Sequence, residues 1–105
     1  MECLSNKRYE VIWLNSFKDE LSHIYHYLSK ELNEPYIVNK FHRKVFNSLS
    51  YLSYYPEIYQ KINHNKNIRR IPIDKYVILY TIDNHKKRVF ILHIIHGNNN
   101  YLEKL

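Results

Sequence analysis

Glycine, cysteine and long apolar runs are scarce in this 105-residue chain. The single cysteine, Cys3, excludes an internal disulfide framework and favours, weakly, a reducing compartment. No apolar run approaches the length of a membrane span, and the N-terminal stretch MECLSNKRYE has no signal-peptide core. We therefore expect a soluble, cytoplasmic protein that does not associate with a membrane.

Acidic residues are also few. Ten Asp and Glu stand against sixteen Lys and Arg, which gives a net charge of +6 and a pI near 9.4. Such an excess indicates an anionic partner, either nucleic acid or an acidic protein. The alternative is compositional drift, because the chain is rich in Lys, Asn, Ile and Tyr, as an AT-rich genome would make it. Charge alone does not choose between the two.

Apolar and aromatic residues, by contrast, are plentiful. They make up 45% and 15% of the chain, and most of the aromatics are Tyr. This length and composition support one hydrophobic core, and no repeat, linker or low-complexity tract divides the chain. We expect a single domain over residues 1–105.

The first half of the chain predicts one strand and one helix. Residues 8–14, RYEVIWL, alternate and are β-branched or aromatic, which is typical of a strand. Ser16 is the predicted N-cap of the helix, with Asp19 at the third helical position, near the positive end of the helix dipole. The buried stripe of this helix is Phe17, Leu21, Ile24, Leu28 and Leu32.

A second helix follows a short link. Pro35 suits its first turn, and Pro56 is expected to end it near Tyr55. Two amphipathic helices so close in sequence indicate an antiparallel helical hairpin. The stripe of the second helix is Val38, Phe41, Val45, Leu49 and Leu52.

The second half predicts three strands. Residues 68–73, IRRIPI, form an edge strand or a bulge, because Pro72 cannot donate to a sheet. Residues 76–82 and 88–95 are apolar on both faces and should be central strands. The DNHKK segment, residues 83–87, has turn chemistry and makes these two strands a hairpin.

The element order is therefore β-α-α-β-β-β, an α+β fold in which a helical hairpin covers one face of a four-stranded sheet. The other face is left to water or to a partner. Gly97, the only glycine, ends the last strand, and residues 98–105 form a polar tail with room for one helical turn.

Several segments, taken in order, resemble a known family. YYPEIYQKI, IRRIPIDKYVILYTID and KKRVFILHIIHG resemble the RelE/ParE toxin superfamily, most of all its ParE-like branch. The shared pattern is Pro-Glu after the second helix, a basic and apolar strand, a Tyr opening the third strand, and a fourth strand ending in His-Gly. The resemblance extends from about Tyr9 to Leu105.

The resemblance implies a small, mainly antiparallel twisted sheet backed by two helices. It also implies the toxin of a bacterial type II toxin–antitoxin module, neutralised by a cognate antitoxin and needing no cofactor. ParE-type toxins poison DNA gyrase, which is the function we expect first. RelE-type toxins cut messenger RNA on the ribosome, which is the alternative. A degenerate toxin that retains only antitoxin binding is the third possibility.

Three departures from the family pattern bear on the target. Val77 stands where many of the ribosome-dependent nucleases have Arg, and a basic residue is common in the family at the position of Thr81. Asn98, Asn99 and Asn100 replace the basic residues that usually follow His-Gly in ParE-like proteins. The missing charge disfavours RNA cleavage.

Candidate catalytic residues apply only to the nuclease alternative. RNA cleavage without a metal needs an acid, a base and cations at the phosphate. His96 is the candidate acid or base, Arg70 the cation, and Tyr101 a proton donor or a stacking ring. The competing interpretation, which we favour for His96, is a strand-end histidine held by the backbone.

A basic surface is the candidate binding site for the antitoxin and the target. The competing interpretation of these cations is protection of strand edges against aggregation. The residues assigned to this surface are Arg69, Arg70, Lys75, Lys86, Lys87, Arg88, Asn98 and Asn99.

Other side chains are expected to be structural. His23, His26 and His42 lack a convincing third metal ligand, so we expect a solvated helix face and no metal. His93 should be a hydrogen-bonded histidine in phase with Val89, Ile91 and Ile95. The helix-end tyrosines should pack on the sheet rather than stack on bases: Tyr51, Tyr54, Tyr55 and Tyr59.

Overall fold

A computed structural model describes residues 8–32, 34–62 and 67–97 of the chain. The element order is the expected β-α-α-β-β-β, and no helix within these ranges is long and apolar enough to cross a membrane. The elements are β1 (Glu10–Trp13), α1 (Asn15–Leu32), α2 (Pro35–Tyr51), β2 (Ile68–Ile73), β3 (Tyr76–Asp83) and β4 (Arg88–His96).

The strands form one mixed sheet in the order β1-β4-β3-β2. β1 runs parallel to β4, and the other two pairings are antiparallel, so the sheet is mainly antiparallel as expected. The doubly apolar strands β3 and β4 are central, and the Pro72-bearing β2 lies at an edge. Both assignments from the sequence are confirmed.

The core lies between the sheet and the helical hairpin. Phe17, Leu21, Phe41, Val45 and Leu49 point from the two helices toward it, as their spacing predicts. The sheet supplies Ile71, Ile73, Ile78, Tyr80, Ile82, Val89, Ile91 and Ile94.

α1 begins two residues earlier than the sequence predicts, at Asn15 instead of Phe17. Asn15 is its first residue, so Ser16 is inside the helix and Asp19 lies beyond the first turn. The Ser16 Oγ does not cap the helix. It donates a hydrogen bond of 2.7 Å to the Leu92 carbonyl of β4.

This contact is one of two in which side chains of α1 bond to the backbone of β4 beyond the end of β1. β1 is four residues long and ends opposite Ile91, which leaves the backbone of β4 beyond that point without a strand neighbour on this side. Glu20, one helical turn after Ser16, accepts a hydrogen bond of 3.0 Å from the Ile94 amide. Its carboxylate also lies 3.1 Å from the Nδ1 of His93.

β4 contains an irregularity that the alternation of its sequence does not reveal. The pairing with β3 shifts between Leu79 and Tyr80, so Leu92 is an extra residue in β4. His93 therefore pairs with Leu79 and is out of phase with Val89 and Ile91, contrary to expectation. Its expected hydrogen bond is present, to Glu20.

The segment after α2 also differs from expectation. The helix ends at Tyr51, short of Tyr55. Tyr51, Tyr54 and Tyr55 are exposed by 46–62%, so the prediction that they pack on the sheet is wrong. Only Tyr59 of this group packs against the core.

Two tight turns close the sheet. In the β3–β4 turn the Asp83 carboxylate accepts hydrogen bonds from the amides of His85 and Lys86, which confirms the turn chemistry. Gly97 follows β4, and its amide donates to the Lys75 carbonyl at 2.7 Å. A Cβ on Gly97 would lie 3.2 Å from that carbonyl oxygen, so glycine suits the close approach. The expected helical turn lies in 98–105, outside the described residues.

Candidate functional site

A cleft of about 650 Å³ opens where the connected ends of α1 and α2 meet the end of the sheet that carries His96. We call it the His96 cleft. The helices form one wall, and the β2–β3 turn with the ends of β3 and β4 forms the other. Its lining residues are Tyr27, Leu28, Tyr36, Ile37, Lys40, Phe41, Lys44, Asp74, Lys75, Tyr76 and His96.

A row of aromatic rings extends from the helix wall of this cleft to its sheet wall. The ring of Tyr25 lies 6.2 Å from that of Phe41, Phe41 lies 5.5 Å from Tyr76, and Tyr76 lies 5.6 Å from His96. All three contacts are edge-to-face, the arrangement that aromatic quadrupoles favour. The row fixes Tyr76 and His96 against the core.

The packing of this row also affects the pKa of its two tyrosine hydroxyl groups. Burial raises the pKa of Tyr25 and of Tyr76, and for Tyr76 the neighbouring Tyr27 adds to the rise. Both groups are neutral at physiological pH. The Tyr25 hydroxyl shares a hydrogen bond of 2.6 Å with the Nδ1 of His42 and so ties α1 to α2.

The rim of the cleft is basic. Lys40 and Lys44 follow one another on the same side of α2, and Lys75 reaches in from the β2–β3 turn. Lys44 is ion-paired with Asp74 at 2.7 Å, and Asp74 is held in the left-handed region with φ of 54°. Because Lys44 and Asp74 neutralise each other, Lys40 and Lys75 give the lining of the cleft a net positive charge.

The two catalytic candidates that the structure describes do not meet. Core residues Ile71 and Ile73 flank Pro72, and side chains alternate along a strand, so Arg70 and Pro72 face away from the helices. His96 lies on the helix side, in the cleft. The two residues are therefore on opposite faces of the sheet and do not form one site. Tyr101 lies outside the described residues.

The cations assigned to one basic surface are spread over the molecule. Lys75 is in the His96 cleft, whereas Lys86, Lys87 and Arg88 lie at the opposite end of the sheet. Arg88 pairs there with Glu10 at 3.3 Å, and Lys87 sits over the ring of Tyr9 at 5.4 Å. The assigned cations that the structure describes therefore do not form one continuous surface, and Asn98 and Asn99 lie outside the described residues.

Arg69 has a structural position. Its guanidinium donates a hydrogen bond of 2.6 Å to the Tyr59 carbonyl and lies 3.4 Å from the Glu57 carbonyl. These contacts hold the loop after α2 against β2. Its neighbour Arg70 is half-buried on the face turned away from the helices.

The two departure positions of β3 lie on that same face. Val77 is buried to 6% exposure and pairs with Ile95 and Pro72, so it is an apolar member of the sheet. Thr81 donates a hydrogen bond of 2.7 Å to the Asn67 carbonyl. Neither position offers a cation to a bound phosphate.

The three histidines that the sequence places on the helices do not form a metal site. His23 and His26 are exposed on α1, and His42 bonds to Tyr25. Within residues 8–32, 34–62 and 67–97, no cluster of three His, Cys, Asp or Glu side chains could hold a metal ion.

A second groove, of about 450 Å³, runs between α2 and β1. Arg8 lies over the ring of Tyr54 at 4.9 Å and donates hydrogen bonds to its hydroxyl. The groove follows the outer edge of β1, the edge strand opposite β2. Its other lining residues are Tyr9, Val11, Trp13, Phe46, Leu49, Ser50 and Ser53.

The contribution of the helices to the His96 cleft was not predicted from the sequence. Tyr27, Tyr36 and Lys40 lie outside the buried stripes and so carried no signal for packing. A signal was present in α2, whose segment 35–51 contains Lys40, Arg43 and Lys44 but no acidic residue. A helix that carries several positive side chains, no acidic side chain and exposed tyrosines is typical of a binding surface. A helix face that only contacts water usually mixes charges of both signs.

Comparisons with known proteins agree with this fold. The family model described as the ParE toxin of type II toxin–antitoxin system, parDE, matches residues 11–101. No curated protein sequence matches the chain significantly.

Solved structures of low sequence identity share the architecture. The chromosomal ParDE system from P. aeruginosa aligns with a TM-score of 0.67 at 15% identity, over 86% of this chain and 97% of that one. The toxin–antitoxin complex RelBE2 from Mycobacterium tuberculosis aligns at 0.58 with 20% identity, over 85% and 98%. A mutant RelE toxin of E. coli in the free state aligns at 0.66 with 12% identity, over 92% of each chain.

Proposed function

Because the chain belongs to the ParE toxin family of type II toxin–antitoxin systems, we propose that it is a toxin that inhibits DNA gyrase and that a cognate antitoxin neutralises it. It acts by binding its target rather than by catalysis. The family membership rests on a match over most of the chain, and the choice of target rests on the geometry of the described residues.

The separation of Arg70 from His96 carries the choice of target. Metal-free RNA cleavage needs a cation and an acid or base within hydrogen-bond reach of one phosphate. Here the two candidates lie on opposite faces of the sheet. The face that carries Arg70 has Val77 where many of the ribosome-dependent nucleases have Arg. This favours a protein-binding toxin.

Antitoxin binding is supported by two features. The M. tuberculosis relative was solved as a toxin–antitoxin complex, and the P. aeruginosa relative belongs to a ParDE system. In this chain, the groove between α2 and β1 combines an outer strand edge with half-buried apolar side chains. Such a groove accepts an extended or helical segment with an apolar face.

A second candidate function is ribosome-dependent cleavage of messenger RNA. The observation that favours it is the presence of Lys40 and Lys75 in the same cleft as His96. A histidine beside two cations could serve as a general acid or base at a phosphate.

Pulse labelling of DNA and protein synthesis after induction separates the two functions. We expect DNA synthesis to fall first, since gyrase inhibition blocks replication before it depletes messengers. A Phe17→Asp variant serves as the inert control, because it places a charge at a fully buried position. An immediate fall in protein synthesis, abolished by His96→Ala, would contradict gyrase as the target and support RNA cleavage.

A further inference from the structure

The His96 cleft has the features of a ligand site. Its volume of about 650 Å³ lies within the range of small-ligand pockets, roughly 300–1,000 Å³. Tyr27 and Tyr36 line it with exposed fractions of 56% and 62%, although large aromatic side chains are usually more buried. Tyr76 and His96 form the facing wall and are held in place by the aromatic row.

The charge around these rings defines the class of ligand. Lys40, Lys44 and Lys75 line the cleft against one carboxylate, Asp74, which already pairs with Lys44. A ligand that complements this site carries a negative charge at the rim and a flat apolar group that packs against the tyrosines. A nucleotide has both features, because its base stacks on aromatic rings and its phosphate pairs with lysines.

The architecture of the cleft disfavours an extended peptide. A peptide that binds as a strand needs an open row of backbone donors and acceptors. Here the β2–β3 turn forms that part of the wall, and the Lys75 carbonyl already accepts from the Gly97 amide. The remaining lining comes from side chains of α1 and α2.

We propose that the His96 cleft binds an unpaired nucleotide of single-stranded DNA, with the base stacked against the lining tyrosines and the phosphate at Lys40 and Lys75. This proposal rests on gyrase as the target, because the substrate of gyrase is DNA. The cleft gives the toxin a contact to the nucleic acid in addition to its contact with the protein.

Fluorescence anisotropy with a labelled octamer of thymidylate, titrated at several salt concentrations, tests the proposal on the full-length protein. We expect the double variant Tyr27→Ala/Tyr36→Ala to lose about tenfold or more in affinity, the usual effect of removing a stacking platform. Lys40→Gln should reduce the slope of log affinity against log salt by about 0.7, as one lost phosphate contact requires.

Matched controls lie on the same helix outside the cleft. Tyr51→Ala removes a tyrosine with 58% exposure, and Arg43→Gln removes one positive charge. Both should bind the oligonucleotide like the wild-type protein. Thermal melting confirms that every variant is folded.

Three results would overturn the inference. The first is equal weakening by Lys40→Gln and Arg43→Gln, which would show diffuse attraction to a basic helix. The second is tighter binding of the matching uridylate octamer, which would assign the cleft to RNA. The third is an acidic peptide that binds with the same dependence on Tyr36 and Lys40 while the oligonucleotide does not bind.

The inference and the proposed function fail differently. Gyrase inhibition that persists in the Tyr27→Ala/Tyr36→Ala variant, together with no oligonucleotide binding by the wild-type protein, overturns the cleft as a DNA site and leaves the target standing. Cleft-dependent oligonucleotide binding with no effect on gyrase supports the cleft as a DNA site and overturns the target.

Discussion

At the scale of single residues, Glu20 shows how one side chain can complete a sheet. Its carboxylate accepts a hydrogen bond from the Ile94 amide and faces the His93 ring, at the stretch of β4 that β1 does not reach. An unpaired amide at such a position costs stability, and an open strand edge invites pairing with other chains. Glu20 therefore supplies a hydrogen bond that a neighbouring strand would otherwise make to β4.

Substitution of Glu20 by Ala should lower the free energy of unfolding by about 1–2 kcal/mol, because it leaves the half-buried Ile94 amide without its partner. Glu20→Gln keeps an acceptor for that amide and should lose less. Glu31→Ala, on the exposed side of the same helix, should stay within about 0.5 kcal/mol of the wild type. Urea denaturation measures all three, and equal losses for the variants of Glu20 and Glu31 would refute the role of Glu20.

The functional residues could be foreseen only in part. His96 and Lys75 were identified from the sequence, and both line the cleft. Arg69 was assigned to a binding surface, yet its guanidinium holds carbonyls of the loop after α2. A sequence shows that a cation is present, but the partner of that cation depends on which distant carbonyl the fold brings near it.

At the scale of elements, the hydrophobic patterns predicted the helices and strands. They did not predict the extra residue in β4 or the end of α2. The extra residue Leu92 shifts the phase of β4, and nothing in RVFILHII marks it because nearly every position is apolar. α2 stops at Tyr51 although Pro56 stands five residues later. Tyrosines suit both buried and exposed sites, so the composition did not show that Tyr51 and Tyr55 are exposed.

The loop after α2 is held by a buried tyrosine of the sheet. The hydroxyl of Tyr80 donates a hydrogen bond of 2.7 Å to the Pro56 carbonyl, and the residue is fully buried. Burial is the main cause that raises the pKa of Tyr80 to about 12, from its usual value of 10. Arg69 holds the same loop at Tyr59.

The raised pKa predicts a pH dependence of stability. A group whose pKa is higher in the folded state contributes fully below its unfolded pKa and loses that contribution as the pH rises through the folded value. The wild type should therefore be more stable than Tyr80→Phe by about 1–2 kcal/mol at neutral pH, and this advantage should shrink between pH 10 and about pH 12. Chemical denaturation of both proteins from pH 7 to 12 gives the difference, and an advantage that grows in that interval would disprove the assignment.

At the scale of the whole molecule, two groups of cations among the described residues lie at opposite ends of one sheet. Lys75 joins Lys40 and Lys44 at the His96 cleft, whereas Lys86, Lys87 and Arg88 lie beyond the other end of β3 and β4. This division suits a toxin that must contact both a target and an antitoxin, because the two partners can use different parts of the surface.

Inhibition of purified bacterial gyrase by the purified protein tests the central claim most directly. The measurement is the supercoiling of relaxed plasmid DNA, with the Phe17→Asp variant as the inactive control. We predict loss of supercoiling as the wild-type protein is added, with the inhibition relieved by the cognate antitoxin. Unchanged supercoiling at saturating toxin, with messenger RNA cut when ribosomes are supplied instead, would contradict the account.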